Sequence, residues 1–446
     1  MTRPVKILLG VLATMFCLGS IVVVVVAYVL ISFLHGRSLF DEGYAAINRR
    51  DYETAATKFA AALGNRLPKM YRAYALADLA LSESWTGHCN DAIRDYTKAL
   101  QLDPNLAFAY ENRGQLYDES GEREKAYHDY SQAIRLDPNS HRALFDRGLI
   151  NLERKDLDQA IEDFSEAVRT DPSSAAAYNN RGLVYSYKKD FDRALSNFDA
   201  AIQLRPNYAS ALGDRGYVYF EKKQYEKAIA DLTEAIRLDP KHEANYRLRG
   251  FCLKDDRRFK DAIADFNKAL QLNPKDIGAL EGRAATFSEM GKHDEAIADF
   301  NAVLQTWQLP DVYYRRAAAY SRKGDYSKAL TDFREALRLE PDDQWALNNF
   351  GWFLATCPDA AFRDGKEALV LARKACEISN WKNASSLDTL AAACALTGDF
   401  EAAVGYEDRA ISLNDLSKSK IAEMQTRRAL YQQHKPFQQT RVRSTD

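Results

Sequence analysis

Seven arginines recur along this sequence at a constant interval that shortens by one only at the last: Arg113, Arg147, Arg181, Arg215, Arg249, Arg283 and Arg316. A row of guanidinium groups suits phosphate or carboxylate ligands, because the planar fork donates two parallel hydrogen bonds to either. A second series runs in phase with the first: Asp95, Asp129, Asp163, Asp231, Asp265, Asp299 and Asp332, with Asn197 as the exception. Most of these carboxylates precede the arginine of the following unit by one fixed offset, as Asp95 precedes Arg113 and Asp129 precedes Arg147. Two opposite series in phase are expected to satisfy each other. The sequence therefore predicts an Arg–Asp ladder between adjacent units, with an anion-binding row as the alternative.

Other residue types that could do chemistry form no constellation. Cys17 lies in an apolar N-terminal run, and Cys89, Cys252, Cys357, Cys376 and Cys394 follow without a CxxC pair, which excludes a zinc or thioredoxin-like motif. Cys357, Cys376 and Cys394 are read as small buried residues of neighbouring helices, with one disulfide among them as the alternative in an oxidising compartment. The seven histidines are scattered. Asn383-Ala384-Ser385 is a lone glycosylation sequon, meaningful only in a secretory eukaryotic setting. There is no HExxH, GxSxG, GxxxxGK[ST] or GxGxxG. No catalytic residue, metal site or cofactor is expected.

The elements that carry these residues are set by a repeat. Pro104, Pro138, Pro172, Pro206, Pro240 and Pro274 are evenly spaced at the interval of the arginines. Alanines at 126, 160, 194, 228 and 262 are followed four positions on by Tyr130, Phe164, Phe198, Leu232 and Phe266, and three further on by Ala133, Ala167, Ala201, Ala235 and Ala269. That spacing places a small–large–small stripe on one helix face. Gly114, Gly148, Gly182, Gly216 and Gly250 mark a preceding helix. Turn residues such as Lys189-Asp190 separate the two helices, and the proline stops the second. Each unit is a helical hairpin that buries its face only by stacking on its neighbours.

These residues resemble the tetratricopeptide repeat (TPR) family over nearly all of 36–433. The interval is that family's period of about 34 residues. Two positions depart from its pattern: Tyr or Leu stands first (Tyr110, Leu144, Tyr178, Leu212, Tyr246) in place of Trp, and Arg replaces the Leu before Gly. The resemblance implies an all-α, right-handed superhelical solenoid of about 11 TPR units, preceded by one transmembrane helix. The array is expected over 36–415, most regular over 107–276, with an insertion near 357–364. An amphipathic helix at 416–434 is expected to cap it, and 435–446 reads as a tail.

The N-terminal run is the chain's other asymmetry. After a short basic segment, 1–6, residues 7–34 hold no Asp, Glu, Lys or Arg, and about 20 apolar residues span a bilayer. The run exceeds a cleavable h-region of about 7–15 residues, so an uncleaved signal anchor is expected, with a cleaved signal as the alternative. Arg3 and Lys6 precede it, while Arg37, Arg49 and Arg50 follow. A short basic N-terminus on a first span usually stays cytoplasmic. The array is thus expected on the extracytoplasmic (periplasmic) side, with the cytoplasmic side as the alternative.

The 61 basic residues nearly balance the 63 acidic ones. With Arg3 and Lys6 set aside, 59 stand against 63, a balance of −4, which argues against nucleic acid. The family resemblance implies a concave groove lined by the fifth and ninth positions of the first helices. Candidate binding residues there are Phe145, Leu149, Asn179, Leu183, Tyr217, Arg247, Phe251, Asn348 and Trp352. The Lys/Arg/Asn set of a phosphate or carboxylate clamp is absent. The apolar and aromatic middle suits a peptide or partner helix, with space-filling between first helices as the alternative. The expected function is a non-catalytic membrane-anchored adaptor, as in bacterial anchored TPR proteins. A membrane-bound transport or chaperone-docking receptor is the alternative. The oligomeric state is not legible.

Overall fold

A computed structural model describes residues 21–413 and 417–440. Its described residues form 23 α-helices and one short 3-10 turn, with no strand. The chain divides into two compact units at Val218/Tyr219. In the first, α1 (Ile21–Asn48) pairs with α2 (Tyr52–Leu63), α3 (Lys69–Trp85) with α4 (Cys89–Leu102), and α5 (Ala107–Glu119) with α6 (Arg123–Leu136). Then α7 (His141–Glu153) pairs with α8 (Leu157–Thr170) and α9 (Ala175–Tyr187) with α10 (Phe191–Leu204). The division falls inside α11 (Ala209–Glu221). The second unit continues with α12 (Tyr225–Leu238). Its hairpins are α13 (Glu243–Asp255) with α14 (Phe259–Leu272), α15 (Ile277–Glu289) with α16 (His293–Leu304), and α17 (Pro310–Lys323) with α18 (Tyr326–Leu339). Next come α19 (Gln344–Thr356) with α20 (Gly365–Ile378) and α21 (Ala384–Leu396) with α22 (Phe400–Ser412), and α23 (Lys418–Gln432) packs on α22.

The punctuation of each hairpin is local chemistry. Helix α6 ends at Leu136, Asp137 turns extended, and its carboxylate accepts the Asn139 amide at 3.0 Å. The same turn recurs at Asp103, Asp171 and Asp239, which explains why Asp stands before the repeat proline. Between the helices of a hairpin, one residue adopts left-handed backbone: Lys155 and Lys189 have φ of 62° and 60°. The residue after each, Asp156 or Asp190, caps the second helix through its side chain.

The small–large–small stripe is the core. Ala126, Ala160, Ala194 and Ala262 are fully buried, as are Phe164, Phe198 and Phe266. Glycine on the first helix is the counterpart of the aromatic ring. A Cβ built at Gly148 would lie 2.8 Å from Phe164 Cε1, and one at Gly182 would lie 2.8 Å from Phe198 Cε1. The two backbones approach so closely that only hydrogen fits.

The Arg–Asp ladder exists, but its register differs from the sequence expectation. Arg113 donates from Nε and Nη2 to Asp129 at 2.7 and 2.9 Å, and Asp129 follows it in the same hairpin. Arg147 bonds Asp163, Arg249 bonds Asp265, Arg283 bonds Asp299 and Arg316 bonds Asp332 in the same bidentate way. Arg181 reaches Asn197 with one bond of 2.8 Å. The link to the preceding hairpin comes from the third nitrogen. Nη1 of Arg113, Arg147, Arg181 and Arg249 donates to Thr97, Ser131, Ser165 and Thr233, and that of Arg215 bonds Asp199. Such a guanidinium ties three helices together. Tyrosine in the first repeat position completes the arrangement: Tyr110, Tyr178 and Tyr246 each place a ring within 6 Å of the arginine three positions on. In these three units the two departures from the family pattern belong to one interaction, while Leu144 and Leu212 bring no ring to theirs. With these donors engaged and the paired arginines 13–22% exposed, the row offers no anion site.

Helix α1 joins the apolar run to the array without a break. Val24, Val25, Val26 and Tyr28 are exposed, 50–63% by area. From Ser32 on, the helix packs on the turn after α2 and on α3: Ser32 Oγ accepts the Arg66 amide at 2.9 Å, and Phe33 meets Tyr71 of α3 edge to face. The expected span therefore turns into repeat helix before residue 34. Residues 7–20 of that span lie outside the described residues.

A double-mutant cycle separates the two ladder registers. Arg147→Ala combined with Asp163→Ala is expected to show a coupling of about 1.5–3 kcal/mol in denaturant unfolding, against a few tenths for Arg147→Ala with Asp129→Ala. Equal couplings would contradict the within-hairpin pairing.

Candidate functional site

The first-helix positions fall into two kinds. In the first unit, Phe145 packs on Phe164 with centroids 5.7 Å apart, and Leu149 joins the cluster of Ala160, Phe164 and Val184. These side chains fill space beside the second-helix ring. Leu183 is half-buried, and Tyr217 is 43% exposed. Asn179 is buried, and its Nδ2 donates to Asp214 Oδ2 at 3.3 Å. That bond fixes which end of the amide is oxygen, and the oxygen is buried without a partner.

In the second unit, Phe251 packs edge to face on Phe266 at 5.2 Å. Arg247 is bound to Asp276 at 2.8 Å. Asn348 is 9% exposed, and its Oδ1 again has no hydrogen-bond partner. Asn348 and Trp352 line one cavity of about 310 Å³ together with Trp345, Arg322 and Lys420. The structure thus groups Asn348 with Trp352 and puts Arg247 and Phe251 elsewhere, on separate partners.

The predicted amphipathic helix is α23, and it buries Met424, Arg427 and Tyr431. Arg427 donates from Nε and Nη2 to Asp388 of α21 at 2.8 and 2.9 Å. Its guanidinium also lies 5.3 Å from the Trp352 ring centroid and 5.6 Å from that of Phe437. Phe437 belongs to the expected tail, which folds back on the repeats. Near the insertion, Cys376 and Cys394 are free buried thiols, pushed by burial up to about 12 and about 11, and Cys357 is buried as well.

Tetratricopeptide repeat models match the chain over 111–175, 173–241, 244–276 and 310–343. These segments are tetratricopeptide repeats. No curated protein matches the sequence. Among solved structures, YrrB, described as a TPR protein with an unusual peptide-binding site, is 28% identical over 42% of this chain and 97% of its own, with a TM-score of 0.38. Yeast Tom70 is 17% identical over 89% of this chain and 95% of its own, with a TM-score of 0.43. Pseudomonas aeruginosa PilF is 22% identical over 46% and 93%, with a TM-score of 0.42.

Beyond the regular TPR units, the sequence reading missed three contributors at the C-terminal end. Trp345 sits one helical turn from the register positions. Lys420 and Phe437 follow the last repeat. The only available signal was one aromatic in an otherwise polar tail, Lys435-Pro436-Phe437.

The same reading missed Glu407 of α22. It is fully buried, with its carboxyl 3.5 Å from Arg427 Nε. Burial, with the Asp388 carboxylate beside it, raises the Glu407 carboxyl from 4.5 to about 9. The shift favours the neutral carboxyl in the folded protein. Its stabilising effect is full below the unfolded value and is lost as pH rises through the folded one. The C-terminal helices should therefore lose stability as pH rises from about 5 towards 9. Glu407→Gln, neutral at every pH, should flatten that slope in unfolding followed by tryptophan fluorescence. An unchanged slope would show that the buried carboxyl is ionised.

Proposed function

We propose that this chain is a non-catalytic adaptor, held to a membrane by its N-terminal apolar helix, which binds protein or peptide partners through the first-helix face of its TPR array. One observation carries the reading. Asn179 and Asn348 occupy the same position of their repeats, and each keeps a buried amide oxygen without a partner. A buried acceptor left unmet costs about 1–3 kcal/mol, and a ligand N–H relieves that cost. The backbone amide of a peptide is the natural donor, since it is available whatever the side chain. Exposed aromatic rings accompany the amides: Tyr217 at 43% and Trp345 at 51%. Tyrosine and tryptophan bury large areas at little entropic cost and so serve as anchors.

Membrane attachment is supported by the exposed valines of α1 and by its apolar composition. Arg3 and Lys6 ahead of the span favour an extracytoplasmic array. Arg37, Arg49 and Arg50 just after it favour the second reading, a receptor for transport or chaperone docking with the array in the cytoplasm. The array's acidic balance supports protein over nucleic acid as partner.

A photocrosslinking residue at Asn179 or Tyr217 in membranes should capture discrete partners, while the exposed second-helix position Glu162 should not. Asn179→Ala should weaken capture about tenfold. Identical patterns from both faces would sink the reading. Protease protection of the C-terminus in intact membrane preparations decides between the adaptor and the cytoplasmic receptor.

A further inference from the structure

The connection between α19 and α20 is the insertion at 357–364, and the segment after α23 returns to it. Helix α23 stops at Gln432, His434 takes a left-handed φ of 55°, and residues 435–440 run on without helix. Three contacts hold this segment. The His434 ring stacks on Phe400 at 5.1 Å. The Phe437 ring packs on Trp352 at 5.9 Å, with the Arg427 guanidinium against both. The backbone amide of Gln439 donates to the carbonyl of Thr356 at 2.9 Å. Thr356 is the last residue of α19, whose terminal carbonyls have no acceptor role inside their own helix. An extended backbone fills that role here, and any peptide can do the same.

The segment also divides the space around it. Gln439 lines both the cavity of about 310 Å³ beside Asn348 and Trp352 and a second one of about 770 Å³ against the insertion and the α17–α18 turn. In the smaller cavity the buried Asn348 oxygen remains unmet. The place therefore has an aromatic anchor position, a backbone acceptor and a side-chain acceptor. The tail uses the first two and leaves the third.

We propose that the surface between these two cavities, at Trp352 and the Thr356 carbonyl, binds an extended peptide carrying an aromatic residue, and that the chain's own segment Pro436–Thr440 covers it in cis until such a peptide displaces it. The proposal rests on the peptide-binding reading of the TPR face and adds a site and its occupant. The hold is built to be reversible. It consists chiefly of one half-buried ring and one backbone hydrogen bond, and it persists because a short tether from Gln432 keeps the local concentration of the segment in the millimolar range. A competing peptide binds only the fraction of chains whose tail is away, so its apparent affinity falls by that fraction.

The test uses the full chain in detergent and a fluorescent peptide with the sequence of residues 433–446. The peptide should bind a chain ending at Lys435 at least about tenfold more tightly than the full chain. Gln439→Pro in the full chain removes the amide donor to Thr356 and should recover much of that gain. This point variant keeps the test valid should the shortened chain unfold. Asn348→Ala in the chain ending at Lys435 should weaken the peptide about tenfold. Equal binding to full and shortened chains would overturn the proposal. So would no binding to a shortened chain that melts like the full one, or a concentration-dependent dimer formed by exchanged tails. Loss of this effect with crosslinks from Asn179 and Tyr217 intact rejects the tail alone. Loss of those crosslinks rejects the broader reading.

Discussion

The guanidinium of the repeat arginine is the interaction on which the array depends. Hydrophobic burial through the Ala–aromatic–Ala stripe supplies the larger share of stabilisation, but it is not directional. The arginine fixes direction. Two of its nitrogens join the two helices of one hairpin, and the third reaches the hairpin before. A partly buried ion pair contributes little to net stability after desolvation, yet removing one partner leaves a buried charge. Its value lies in setting one packing of a hairpin against its neighbour among several that apolar contact alone would allow. Tyrosine in place of tryptophan in the first position follows from the same geometry, because its ring covers the guanidinium face.

The consequence for function is that the most conspicuous charges are used inward. What the first helices leave open is a small set of amides and aromatic rings. Asn179 and Asn348 are buried first-helix amides whose bonding is incomplete, whereas the repeat arginines beside the first helices are paired. Incomplete bonding at a repeated position is a cost, and it is on this cost that the proposed peptide contact rests.

The C-terminal end follows different rules from the regular units. Helix α21 is buried along almost its whole length, and Arg427, Asp388 and Glu407 form a polar cluster inside that packing. Here the guanidinium joins α23 to α21 and faces Trp352 and Phe437. One cluster thus connects the capping helix, the last repeats and the returning tail. At the other end, α1 carries exposed apolar surface straight into the first hairpin, so whatever holds that surface is rigidly coupled to the repeats.

The sequence by itself determined the helical hairpins, their number and their buried stripe, because a fixed period states the same packing solution many times. It also separated the filling residues from the turn residues, since Asp before Pro and Asp after a left-handed lysine have local causes. It did not determine which aspartate each arginine meets. The two candidates for Arg147, Asp129 behind it and Asp163 ahead of it, stand one full repeat apart, so the period is compatible with either, and only the distance between helices in space decides. The groove positions show the same limit: Leu149, Tyr217 and Phe251 share one register position, and packing against a second-helix ring separates the fillers from the exposed one. The returning tail and the buried Glu407 carry no period at all. They arise where chain ends and buried charges meet, and contacts between residues distant in sequence fix them.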